Sequence, residues 1–273
     1  MEMKSALLFP HLVHDALMVD THSLYVVLRE RARQIASRYP PADFYRDHAV
    51  AVDISRAMFE SDPLVMDLRQ SVCAHLEDDF GHGILHATKV ALDAGALIHI
   101  EGRAAGYSGG YLLRRICIAH CAGLLHDIQR KEKNHAEHGA CRARELLAAH
   151  PLASDEIEDV SIAIRNHEAF KGTVSINTRE GALVSDCLYD ADKFRWGPDN
   201  FTDTLWDMVA FTQPLLSDFL RHYPAGMESL ARINSTFRTP AGRLYGPAFI
   251  DLGIAIGEEL YRVIHSEFSA YLV

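Results

Sequence analysis

The sequence predicts an all-α fold, because its apolar residues recur at helical spacing and no run alternates apolar and polar residues over strand length. Hydrophobic residues make up 48% of the 273 positions and charged residues 23%, which is enough apolar material for one large core. The only short candidate for an extended segment is 174–176. We therefore expect one helical domain over 1–273, with a core at about 75–200 and helical additions at 1–75 and 200–273.

Prolines delimit the first predicted helices. A helix over 24–38 ends before Pro40, and another follows from Asp43. Pro63 suits the first turn of a third helix, which we expect to end near Asp78.

Glycines separate the next two predicted helices. Apolar residues recur at helical spacing over 83–100, and the four glycines within 102–110 predict a loop. The segment 112–128 is apolar through most of its length. A helix that is apolar on all sides is a buried, central one.

Capping signals delimit the later helices. The helix over 135–149 is closed by Pro151, and the next begins at Ser154, with acidic residues in its first turn that suit the helix dipole. The remaining predicted helices cover 179–194, 201–222, 225–236 and 247–270. The segment 237–247 is expected to be a connecting loop.

Charge and cysteine content narrow the class of protein. The formal net charge of −10 argues against an extended nucleic-acid partner, whereas a small anionic substrate remains compatible if a metal inverts the local field. Five scattered cysteines do not form a disulfide framework. The sequence has no secretory signal and no apolar run of the ~18 residues that a membrane span needs, so we expect a cytoplasmic protein without a membrane partner.

A His-Asp pair ends the apolar segment, in Leu-Leu-His-Asp-Ile at 124–128. Burying such polar groups is costly unless they are paired or bind a metal. Because neighbouring helical positions point about 100° apart, His126 and Asp127 can flank one ion or bridge two.

Further histidines and acids lie on other predicted helices: His86, His135, His138, His167, Asp186, Asp190 and Asp192. Imidazole and carboxylate ligands together suit Mn, Fe, Zn or Mg, and the absence of cysteine ligands argues against a structural zinc site.

In this order the motifs resemble the HD-domain superfamily of metal-dependent phosphohydrolases, whose signature is His, His-Asp and Asp. The matching segments are 86–90, 124–128, 135–140, His167 and 190–194, so the resemblance covers about residues 80–195. It implies an HD-type helical bundle that binds one or two divalent ions (Mn, Fe, Mg or Zn). The implied ligands of the first ion are His86, His126, Asp127 and Asp192.

The resemblance also implies a second ion, held by His135 and His167 and bridged to the first by Asp127. Two alternatives stay open at this point. His138 can replace His135 as the ligand, and Asp190 or Asp186 can replace Asp192.

The implied activity is hydrolysis of a phosphoester or phosphoanhydride bond in a small anionic molecule, such as a nucleotide or a related phosphate. Asp127 is then catalytic, and His82 and Lys131 assist departure of the leaving group. His82 can equally be a loop cap. Lys89, Arg130 and Lys131 are candidates to neutralise substrate phosphate, with a solvated surface position as the alternative for each. Arg243 is a candidate to bind the substrate if the segment around it folds over the metal pocket, and a position in a connecting loop is the alternative.

Two other functions share this ligand set. HD-fold oxygenases hold two irons with six His and Asp ligands and oxidise a polyol or a phosphonate. A non-catalytic signalling module is the third alternative, although the complete ligand set argues against it. The sequence is also compatible with a homo-oligomer.

Overall fold

A computed structural model describes residues 21–73 and 83–272. Within these two ranges the chain forms twelve α-helices and no strand, which confirms the predicted all-α class. The helices are α1 (Thr21–Ala36), α2 (Asp43–Asp47), α3 (Ala49–Ser61), α4 (Pro63–Cys73), α5 (Ile84–Ala104), α6 (Gly109–Leu125), α7 (His135–Leu147), α8 (Ser154–Arg165), α9 (Arg179–Phe194), α10 (Leu205–Thr212), α11 (Leu216–Ile233) and α12 (Pro240–Glu267). A π-helical turn, Asn200–Thr204, precedes α10, and a 3-10 turn, Ser269–Tyr271, follows α12.

Helix α6 lies at the centre of the fold and contacts α5, α8 and α9. Every residue from 115 to 125 is buried, as the all-round apolar pattern predicts. Helices α5 and α6 approach closely at Gly123, where an added Cβ would lie 2.4 Å from the Cα of Ala91. Only glycine permits this approach, which sets the separation of the two helices.

The N- and C-terminal helices pack against each other on the central bundle. Helix α1 contacts α12, α10 and the π-helical turn. The Tyr25 hydroxyl donates to the Pro214 carbonyl at 2.8 Å, and Arg38 forms an ion pair with Glu259. These contacts join the first and last helices of the described residues into one packed layer.

The C-terminal helices differ from the prediction at two prolines. A break was expected after residue 222, but α11 continues through Pro224. Its buried face, which includes Leu216, Leu220 and Leu230, outweighs the ~3 kcal/mol that an internal proline costs. The segment 237–247, expected to be a loop, instead contains the start of α12, which has Pro240 in its first turn.

Two smaller expectations also change. Helix α5 extends to residue 104, so the predicted loop at 102–110 shortens to a turn that uses Gly106 at a φ of 89°. The segment 174–176 forms no strand with the described residues. Instead, the Asn166 side chain donates to the Val174 carbonyl at 3.1 Å and accepts from its N–H at 2.8 Å. An amide side chain thus supplies the bonds that a neighbouring strand would have provided.

None of the helices in the described ranges has the length and apolarity that crossing a bilayer requires.

Candidate metal centre

The His-Asp pair lies in the turn that follows α6, because this helix ends at Leu125 rather than continuing to residue 128. Both side chains are buried. The Nδ1 of His126 lies 2.8 Å from the Gly123 carbonyl oxygen. A carbonyl only accepts, so Nδ1 carries the proton and Nε2 keeps its lone pair. The turn therefore fixes the tautomer in which a histidine binds a metal through Nε2.

Four ligand atoms from three elements meet beside this turn. The Nε2 of His86, on α5, lies 3.2 Å from the Nε2 of His126. The Asp127 Oδ2 lies 3.9 Å from the His86 Nε2 and 3.3 Å from the His126 Nε2. The Asp192 Oδ1, on α9, lies 3.5 Å from the His86 Nε2 and 3.8 Å from the His126 Nε2.

The other oxygen of Asp127 faces a second pair of histidines. Its Oδ1 lies 3.6 Å from the His135 Nε2 and 3.5 Å from the His167 Nε2. The His167 Nδ1 donates to the Ile164 carbonyl at 2.6 Å, so Nε2 is again the free lone pair. His138, the alternative to His135, is exposed on α7 and lies outside both groups.

These spacings suit metal ions. Ligand atoms at ~2.0–2.2 Å from an ion are separated by about 3.0–3.5 Å in octahedral or tetrahedral geometry. The distances of 3.2–3.9 Å therefore need only a small contraction. Two groups of buried side chains can each hold an ion, and Asp127 belongs to both: His86, His126 and Asp127 in one, and Asp127, His135 and His167 in the other.

Electrostatics favour an ionised Asp192 and a neutral His135 at this centre, whereas His126 holds its proton more tightly than a free histidine does. Although burial opposes it, the Lys193 ammonium and the nearby histidines hold the pKa of Asp192 well below its usual range. Burial lowers the pKa of His135 to about 4, which keeps its ring neutral at physiological pH. Burial also opposes the charged form of His126, but the Asp127 and Asp192 carboxylates raise its pKa. Metal binding at His126 therefore competes with a proton.

The two alternatives to Asp192, Asp190 and Asp186, contact residues 238–239 instead of the histidines. Asp190 is buried, and its two carboxylate oxygens accept from the backbone N–H groups of Arg238 and Thr239, each at 2.8 Å. It thereby anchors the start of α12. Asp186 is 44% exposed and lies 3.9 Å from the Arg238 guanidinium. Of these three aspartates on α9, only Asp192 lies against the histidines.

Two of the predicted substrate-binding cations lie beside the centre. Lys89, one turn after His86 on α5, donates to Asp199 at 2.8 Å and to Asp203 at 3.3 Å. The Arg130 Nη1 lies 2.9 Å from the His135 Nε2, which accepts its hydrogen bond. An ion bound at His135 therefore requires this guanidinium to move, and its 38% exposure leaves room for that movement.

The other predicted residues are less closely placed. Lys131 is exposed in the turn between α6 and α7. Arg243 lies in the N-terminal part of α12, where its Nε donates to the Phe237 carbonyl at 3.2 Å. His82 lies outside the described residues.

A charged cleft next to His86 was not predicted. Its walls include Arg29 from α1, Arg195 after α9, and three acids that follow α9. These acids, Asp199, Asp203 and Asp207, are spaced four residues apart, which is the spacing of one helical face. That periodicity was visible in the sequence, but two of the basic residues that face it, Arg29 and Lys89, come from distant segments.

Comparisons of the chain with protein-family models, with curated proteins and with solved structures found no match.

Proposed function

We propose that this protein is a metal-dependent phosphohydrolase that cleaves a phosphoester or phosphoanhydride bond in a small molecule. One observation carries the proposal. The two oxygens of the buried Asp127 face separate histidine pairs, so one carboxylate can bridge two ions. Two-metal sites of this kind are widely used for displacement at phosphorus. The resemblance of the motif order to the HD superfamily supports the same activity.

A divalent ion, when bound here, would lower the pKa of a water to about 7 and so provide hydroxide at neutral pH. The chain's own residues orient the site. The backbone carbonyls of Gly123 and Ile164 fix the tautomers of His126 and His167. The Arg130 guanidinium, once it leaves His135, is placed to donate to a phosphate oxygen and stabilise negative charge there.

The cleft beside His86 gives the substrate a route to the centre. It has a volume of about 250 Å³ and includes His86 in its wall. We assign the phosphate to the metal side of His86 and the remainder of the substrate to the cleft.

The test combines metal analysis with an activity screen. Purified protein is loaded separately with Mn, Fe, Zn or Mg, its metal content is measured, and phosphate release is followed from nucleotides and other small phosphates. We expect up to two ions per chain and metal-dependent phosphate release. Asp127→Ala should lose both ions and activity. The matched control is Asp53→Asn, which alters an acid that is 75% exposed on α3. A metal-loaded protein that releases no phosphate from any substrate, or an Asp127→Ala variant with full activity, refutes the proposal.

A second candidate is an HD-fold di-iron oxygenase acting on a polyol or a phosphonate. The presence of six His and Asp side chains at the centre, with the bridging carboxylate counted among them, favours it, because that number of ligands suits two irons. Oxygen uptake by iron-loaded protein in the presence of a polyol, without phosphate release, would select this activity over hydrolysis.

A further inference from the structure

The cleft beside His86 is balanced in charge. Six ionised side chains form its walls, three cationic and three anionic: Arg29, Lys89, Arg195, Asp199, Asp203 and Asp207. They pair with one another through ion pairs that include Lys89 with Asp199 at 2.8 Å and Arg29 with Asp207 at 2.7 Å. A balanced surface has no excess positive charge to attract a second phosphate. It instead offers alternating hydrogen-bond donors and acceptors.

These side chains retain hydrogen-bonding capacity towards a ligand. Asp207 accepts one hydrogen bond from the described residues, from Arg29, although a carboxylate has about four acceptor positions. The Lys89 ammonium donates to two carboxylates and has a third N–H. The Thr204 hydroxyl, on the cleft wall, has no hydrogen bond to another described residue.

Ion pairs and hydrogen bonds to residues outside the cleft hold its walls in place. Arg195 is buried and pairs with Asp93 and with Asp199, and it donates to the Tyr45 hydroxyl at 2.7 Å. On the α1 side, Asp203 accepts from Arg33 at 3.0 Å as well as from the cleft cations. This network fixes the acids before a ligand arrives, so the side chains lose little conformational entropy on binding.

We propose that this cleft is a recognition site for a hydroxyl-rich group, and that the substrate is the phosphate ester of a sugar or polyol. The inference rests on the proposed phosphohydrolase function and narrows its substrate class. Hydroxyl groups donate to Asp207 and accept from Lys89 and Thr204, while the ester phosphate lies at the metal centre beyond His86. The volume of about 250 Å³ is below the ~300–1,000 Å³ of sites for drug-sized ligands, and it suits a short carbon chain.

The test uses two phosphate esters with the same six-carbon chain. A hexitol 6-phosphate carries five hydroxyl groups, and n-hexyl phosphate carries none. Both are compared on the metal-loaded protein, by kcat/KM for phosphate release and by calorimetric Kd. We expect a preference of about 10-fold or more for the hexitol ester in both measurements, which is the effect of one or two hydrogen bonds to charged groups.

Asp207→Asn identifies the residue that sets the preference. This variant should lower kcat/KM and raise Kd for the hexitol ester by about 10-fold each. Both values for hexyl phosphate should stay unchanged, because only the hexitol ester donates hydrogen bonds to the carboxylate. Asp53→Asn, on an exposed part of α3, serves as the control and should keep the full preference.

The possible outcomes separate the two proposals. Hydrolysis of both esters with equal kcat/KM and equal Kd overturns the polyol inference and leaves phosphohydrolase activity standing. A Kd preference that Asp207→Asn removes supports the recognition site even if neither ester is hydrolysed, and the proposed activity is then refuted if the wider panel of phosphates also releases no phosphate. A preference that Asp207→Asn leaves unchanged also overturns the assignment of the cleft.

Discussion

Replacement of Gly123 by alanine should push apart the two helices that position the first metal ligands. An added Cβ would lie 2.4 Å from the Ala91 Cα and 2.6 Å from the Ala91 backbone nitrogen. Ordinary contact begins near 3.4 Å, so α5 and α6 must separate by about 1 Å in a core packed as densely as a crystal. His86 lies on α5, and His126 follows α6 directly.

The displacement has a calculable effect on the centre. The two Nε2 atoms are 3.2 Å apart, and a shift of about 1 Å takes them beyond the spacing at which neighbouring ligands share one ion. We expect Gly123→Ala to weaken metal binding by about 10-fold or more. Overpacking should also destabilise the fold by about 1–3 kcal/mol, partly offset by the ~1 kcal/mol that alanine gains over glycine in a helix.

Gly139→Ala is the matched control. Gly139 lies in α7, and an added Cβ there would meet its nearest neighbour, the Ile164 Cγ2, at 3.4 Å. This variant should bind metal normally and keep or slightly increase its stability. Metal affinity is measured by competition with a chelator, and the free energy of unfolding by urea titration. If Gly123→Ala matches the wild type in both, helix separation at this glycine does not set the ligand spacing.

Three further changes test other parts of the structure. Asp190→Ala should cost about 1–3 kcal/mol in a urea titration, because one buried and one part-buried N–H group just before α12 lose their acceptor, while metal content should stay unchanged. Arg195→Met should cost about 3–5 kcal/mol because it leaves the Asp93 carboxylate buried without its guanidinium, and Asp93→Leu in the same chain should recover much of that loss; a single variant as stable as wild type contradicts this account. Burial lowers the pKa of His120 from 6.5 to about 3, so below pH 6.5 the unfolded chain binds a proton that the folded chain does not, and stability falls as the pH drops towards 3. The loss of stability from His120 is about 2 kcal/mol at pH 5. The wild-type free energy of unfolding at pH 5 should therefore be lower than at pH 7 by an amount that includes this loss, and His120→Gln should remove that part. If the variant shows the same difference between pH 7 and pH 5 as the wild type, His120 does not contribute.

Local information in the sequence determined the all-α class and most helix positions. Apolar residues at a spacing of three and four fix which face of a helix is buried, and proline and capping residues fix where many helices begin. The same signals placed α6 at the centre of the fold. They were misleading at Pro224, where the buried face of α11 outweighs the local cost of proline.

The motif order nominated the candidate ligands, but only the tertiary structure shows which atoms meet. Asp190 and Asp192 are two residues apart on α9, so they point in different directions. One anchors α12 and the other faces His86, a distinction that depends on what packs on each side.

The charged cleft depended still more on tertiary structure. The spacing of Asp199, Asp203 and Asp207 was visible along the chain, but their partners Arg29 and Lys89 are separated from them by more than a hundred residues. Sequence periodicity records the direction in which a side chain points along its own helix. It does not record which distant helix packs opposite, because that is decided by burial of the whole core.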